Sequence, residues 1–173
     1  MKKILVSILV LTTWASCVTV EFDEPQPRDS RSLNKYPKKL QGSYLNEDDG
    51  MLTIQKYSFI AGHKDSIALG EETFLSSETI LKKIGKYYIV NTSSGEYWES
   101  RLVKITGDSL IIYEINGQDD LTVCKLKDTM EVREVKDTEG KTSKYILSPT
   151  KSQFEGLIEK RLFTKLLALK KID

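Results

Sequence analysis

A single imidazole limits what this chain could catalyse. His63, in the stretch Ala-Gly-His-Lys-Asp-Ser, is the one histidine in 173 residues. Any nucleophile–base–orienter triad would have to use it, yet no Gly-x-Ser-x-Gly elbow or comparable turn accompanies it. Its loop position reads as that of a solvated side chain. No His–Cys group has the spacing that ligates zinc. Asp48-Asp49-Gly50, Asp119-Asp120 and Asp137-Thr138-Glu139-Gly140 could each offer oxygens to calcium. None has the twelve-residue EF-hand spacing, and each falls where a hairpin turn is expected. No glycine-rich run leads a strand into a helix, as a phosphate-cradling loop requires. Catalysis by two carboxylates from distant strands leaves no local signature and gains no support here. The expectation is a protein with no catalytic residues, no metal and no cofactor.

Aromatic residues are the one concentrated feature. Tyr87-Tyr88 and Tyr97-Trp98 flank the stretch Asn-Thr-Ser-Ser-Gly at 91–95. Pairing Asn91 with Glu96 sets Ile89 opposite Trp98 and Val90 opposite Tyr97. Tyr87 and Trp98 then share one face of a hairpin, and Tyr88 and Tyr97 share the other. One pair belongs to a core, where cross-strand aromatic packing contributes up to about 1 kcal/mol. The other is a candidate binding face, a stacking platform for sugar or peptide or the lining of a barrel. Ordinary sheet packing is the simpler reading of all four.

The elements that must carry these residues are short and rich in β-branched and aromatic side chains. LQGSYLN (40–46) meets the turn Glu-Asp-Asp-Gly, and MLTIQKYSFI (51–60) follows, its alternation broken near Gln55 or Lys56 as by a bulge. DSIALG (65–70), TFLSSETILKKI (73–84), YYIVN (87–91), EYWESRLVKI (96–105), SLIIYEI (109–115) and LTVCKLK (121–127) come next, then TMEVREV and KYILS around Asp-Thr-Glu-Gly. Gly, Asp and Asn at the breaks mark an antiparallel meander of about ten strands, closed as a barrel or packed as a two-layer sandwich. Cys124, inside LTVCKLK, reads as a small buried apolar residue. SLIIYEI is apolar on both faces, so something must cover each side of it.

The expected cover is one C-terminal α-helix over about 150–171. Phe154, Leu157, Ile158, Leu162, Leu166, Leu169 and Ile172 recur at helical spacing. Pro149 precedes a capping-box spacing from Thr150 to Gln153, and Lys170 and Lys171 suit the negative pole at the far end. A barrel followed by one helix resembles the lipocalin-like architecture. Gly42-Ser43-Tyr44 on the first strand is similar to that family's Gly-x-Trp, with tyrosine in the place of tryptophan.

The first forty residues concern location. Lys2 and Lys3 precede an apolar run, Ile4–Leu11, broken only by Ser7 and too short to span a bilayer, which needs roughly twenty apolar residues. Ala15-Ser16-Cys17 at the end of this signal peptide resembles the lipobox of bacterial lipoproteins. That resemblance implies removal of residues 1–16 and lipidation of Cys17 with diacylglycerol and fatty acid such as palmitate. Two or more acyl chains hold a protein firmly at a membrane. Val18, with no aspartate after the cysteine, implies the outer membrane, the domain facing periplasm or cell surface. Residues 17–37 then read as the lipidated cysteine and a disordered tether, with three of the four prolines. Such a tether would hold the domain, residues 38–173, up to about 60 Å from the lipid. Without Lys2 and Lys3 there are 24 basic side chains against 25 acidic ones, a balance that offers nucleic acid no broad attraction.

Two functions follow as expectations. One is an outer-membrane lipoprotein of the cell envelope with a non-catalytic accessory or assembly role and an envelope protein as partner. The other is a lipocalin-like binding module for a small apolar or amphipathic ligand.

Overall fold

Twelve strands and two short helices are described across residues 18–64 and 70–172 of the computed structural model. The signal peptide, Cys17 and most of the strand expected at 65–70 lie outside the described residues. In chain order the first strands are β1 (Thr19–Phe22), β2 (Gly42–Leu45), β3 (Gly50–Ile54), β4 (Ser58–His63), β5 (Glu72–Phe74) and β6 (Thr79–Ile84). The long central strands β7 (Tyr87–Ser94), β8 (Tyr97–Thr106) and β9 (Ser109–Glu114) follow. Helix α1 (Asp120–Thr129), β10 (Val132–Lys136), β11 (Thr142–Leu147), α2 (Lys151–Glu159) and β12 (Thr164–Lys171) complete the fold.

The protein is mainly β and sandwich-like, and its mixed sheet does not close into a barrel. Hydrogen-bonded neighbours run β10-β11-β1-β8-β9-β12-β2-β3-β4-β5, with β7 on the other edge of β8 and β6 outside β7. The barrel alternative and a simple meander are thereby corrected. β1 lies parallel to β11 and also meets β8. β12 is inserted between β9 and β2. The first and last strands thus sit inside the sheet, where only long-range pairing could put them.

Central strands β7, β8 and β9 carry a core on each face. On one face Ile89 and Leu102 pack with Phe22, Leu126, Leu147, Phe154, Leu157 and Phe163. The ring of Phe154 meets those of Phe22 and Phe163 edge-on, at centroid distances of 5.8 and 5.6 Å. On the other face Tyr88, Val103 and Leu110 pack with Tyr36, Leu40, Tyr44, Ile54, Leu81 and Leu169. SLIIYEI therefore has the two-sided cover its composition required. α2 supplies one side, as expected of a C-terminal helix; the β2–β3–β4 layer and the 33–40 segment supply the other.

The C-terminal helix is shorter than the expected 150–171. Its start is the expected capping box, Thr150 with Gln153. It ends at Glu159 because Arg161 adopts φ 57°, while the N–H groups of Arg161 and Leu162 donate to the carbonyls of Ile158 and Leu157. This is a Schellman-type stop with its usual apolar contact, Leu157 and Leu162 sharing one core. Beyond it, Leu167 and Leu169 face the second core at strand period, and Leu166 and Ile172, expected on the helical stripe, are exposed.

Three other expectations change. LTVCKLK is helix, not strand: the Asp119 side chain caps α1 by accepting from the Thr122 N–H, Val123 and Leu126 are buried, and Cys124 is exposed. MLTIQKYSFI is a hairpin and not one bulged strand, with Ile54 opposite Phe59 and the Gln55 N–H donating to the Ser58 carbonyl.

The stretch 18–37 is part of the fold where a disordered tether was expected. Glu21 is buried, accepts from Thr19 and pairs with Lys144 at 2.9 Å. Asn91, fully buried, binds this stretch to the sheet. Its Oδ1 accepts from the Gln26 N–H at 2.7 Å and from Ser100 Oγ at 2.6 Å. Its Nδ2 donates to the carbonyls of Gln26 and Ile80. Lys82 Nζ donates to the carbonyls of Pro25 and Pro27, and burial pushes its pKa down. Further along, Leu33 bridges to Leu81 and the Tyr36 N–H reaches the Lys56 carbonyl.

Candidate functional site

The space between the two layers is a candidate site, formed where side chains are small. Gly50 and Met51 on β3 lie opposite His63 and Gly62 on β4, and Leu52 opposite Ala61. With Gly50, Ala61 and Gly62 there, little side chain reaches towards β7, β8 and β9. A cleft of about 280 Å³ remains. Its walls are almost wholly apolar, with Leu52, Ile54, Phe59, Val90, Val103, Leu110, Ile112, Leu167 and Leu169 among them.

Tyr36 also lines this cleft, and its ring is 2% exposed. Its hydroxyl has no hydrogen-bond partner, and burial pushes its pKa well above the usual phenol range. Tyr44, in the same core, differs in one respect: its hydroxyl donates to the Leu40 carbonyl at 3.0 Å.

A second cleft of about 390 Å³ opens where β8 forks. Along one edge β8 pairs with β1 at Trp98 and with β9 only from Leu102 onward. Glu99, Ser100 and Arg101 fall in the gap and line the cleft with Val18, Thr19, Glu114, Asn116 and Gln118. Arg101 pairs with Glu99 at 2.8 Å and with Glu114 at 3.5 Å. It lines both clefts, so the apolar space and the polar fork meet at one residue.

The four aromatic residues singled out in the sequence do not converge on one surface. The observed register pairs Ser94 with Tyr97 and Ile89 with Leu102, four positions from the expected one. The turn is Gly95-Glu96, with Gly95 at φ 71°, a conformation open to glycine at little steric cost. An even slip preserves faces. Tyr87 and Trp98 both pack against the α2-side core, and Tyr88 belongs to the opposite one. Tyr97, on the same face as Tyr88, pairs six residues further along, about 20 Å away at roughly 3.3 Å per residue. There it accepts from Arg133 Nη2 at 2.9 Å, with the guanidinium 5.3 Å from its ring centre.

His63 stands exposed at the end of β4. Among the described residues no group of His, Cys, Asp and Glu could hold a metal ion. Sequence reading passed over Tyr36 and Arg101. Tyr36 lay in the presumed tether, where the spacing of Leu33, Tyr36 and Leu40 was the available signal of burial. Compared with protein-family models, curated proteins and solved structures, the chain matches none.

Proposed function

We propose that this protein is a lipid-anchored envelope binding module holding a small apolar or amphipathic molecule between its two layers. The carrying observation is the interlayer cleft, apolar in its walls and bordered by Arg101. Burying apolar surface contributes about 25 cal/mol per Å², so an apolar guest gains most of its affinity simply by leaving water. The polar group of an amphiphile would lie towards the Glu99–Arg101–Glu114 ion pairs. The anchor in this reading is acylated Cys17, and the compartment is the outer membrane, facing periplasm or cell surface.

Native mass spectrometry of the chain purified from its own cells tests the binding role. A persistent non-protein adduct is expected, and it should be lost in Ala61→Trp, which fills the cleft. A clean apo mass in wild type would count against it.

The accessory or assembly role has one feature in its favour. Tyr57 and Phe74 are about half exposed at the β4–β5 edge of the sheet. Crosslinking from Phe74 in intact cells tests it: a reproducible protein adduct is expected, and its absence would count against that role.

A further inference from the structure

The position of Val18 restricts how an anchored domain can sit. Val18 is the chain neighbour of Cys17, with their Cα atoms about 3.8 Å apart. It is already packed into the fold: a Cβ added to Gly117 would lie 2.7 Å from the Val18 carbonyl oxygen, and strand pairing starts at Thr19. An anchor on Cys17 would therefore be joined to the sheet by a single residue, where a tether of twenty residues was expected.

The surface around this point is suited to lipid. Leu166 is 49% exposed and lines the fork cleft with Val18. Leu121 is 70% exposed and opens α1 three residues after Gln118, which lines the same cleft. Asn116 and Gln118 add polar groups to the same cleft. Exposed charges nearby are of both signs, Asp120 against Lys125 and Lys165, so contact would not depend on anionic lipid.

Resting on the reading that Cys17 is acylated, we infer that the surface around Val18 lies directly on the bilayer, with Leu121 and Leu166 as its apolar contacts. The anchor keeps this surface at the membrane at high effective concentration, so two leucines suffice where they would not bind a free protein. The fork cleft then opens beside the lipid headgroups.

Cys124 allows a direct test on the full chain. It is exposed on α1 one turn after Leu121, and with the Cys17 sulfur in a thioether it is the only free thiol in the sequence. The lipidated protein is placed in phosphatidylethanolamine–phosphatidylglycerol vesicles and a nitroxide is attached at Cys124. Collisions with oxygen are expected to exceed those with a water-soluble nickel chelate, at low and high salt alike. The comparison label is Asp48→Cys in a Cys124→Ser background, in the turn beyond the Leu45–Lys170 pair at the far end of β12. That label should remain aqueous. Replacing Leu121 and Leu166 together by aspartate should return the Cys124 label to water while fatty acid stays on the chain. A lipidated chain whose Cys124 label is as aqueous as the Asp48→Cys label overturns the docking alone. Absence of fatty acid on the chain, read by mass, overturns the anchoring reading and the docking with it.

Discussion

Tyr36→Phe and Tyr44→Phe delete the same oxygen from the same core and should act in opposite directions. Both rings are buried, at 2% and 1% exposure, so phenylalanine keeps nearly all the packing. At Tyr44 the change removes a hydrogen bond to the Leu40 carbonyl, with a net loss of about 1 kcal/mol. At Tyr36 it removes a hydroxyl whose desolvation nothing offsets, so the variant should be more stable by about 1 kcal/mol. The two variants should therefore differ by about 2 kcal/mol. In a chain of this size that is roughly 4–8 °C between their melting midpoints. Alkali gives an independent reading. Burial raises the Tyr36 pKa from 10.0, so the folded protein keeps this proton where the unfolded chain releases it. The unfolded state then binds fewer protons, and this residue lowers stability as pH rises past 10. Tyr36→Phe lacks that loss, and its advantage over wild type should widen between pH 8 and 11. Urea unfolding across this range, with calorimetry at pH 8, measures both effects. Equal destabilisation by the two substitutions would show that Tyr36 has a partner and refute the reasoning.

Two further substitutions test how the amino-terminal stretch is held. Asn91→Ala leaves the Gln26 backbone groups, the Ile80 carbonyl and the Ser100 hydroxyl without their shared partner. It should lower stability by about 3 kcal/mol and open the 23–30 loop to protease; a loss under about 1 kcal/mol in urea unfolding would contradict the network. Gly117→Ala would set a methyl 2.7 Å from the Val18 carbonyl oxygen and 3.2 Å from Val20 Cγ2. It should cost about 1–3 kcal/mol and speed hydrogen exchange at Thr19–Phe22; unchanged exchange there would mean that Gly117 does not hold β1 in place.

Local periodicity was a reliable guide to some parts of this chain and a poor one to others. The hairpin β8–β9 turns at Gly107-Asp108, in the break expected between EYWESRLVKI (96–105) and SLIIYEI (109–115). The β7–β8 pairing was displaced by four residues, because Thr-Ser-Ser-Gly looks like a turn although its first three residues extend the strand. Face assignments survived, since an even slip leaves parity unchanged. The end of α2 could not be read because arginine occupies the left-handed position where glycine is the usual signal. Leu-Thr-Val-Cys-Lys-Leu-Lys alternates well enough for a strand, and only the Asp119 cap and the burial of Leu126 select helix. At the cleft, the apolar residues of β9 were recognised as needing cover on both sides. The small residues Ala61 and Gly62, which leave the gap, carried no such signal.

Composition and alternation determined that this is a β-rich chain whose middle strands are buried on both faces, because period and residue type depend on neighbours along the backbone. Tertiary structure alone decided that β1 and β12 enter the sheet between distant strands, that the proline-rich stretch is bonded to Asn91 and Lys82, and that a cleft stays open beneath β3 and β4. These features depend on pairings between residues far apart in sequence. Their free energy comes from surfaces that exist only once the chain has folded, and so no local window contains it.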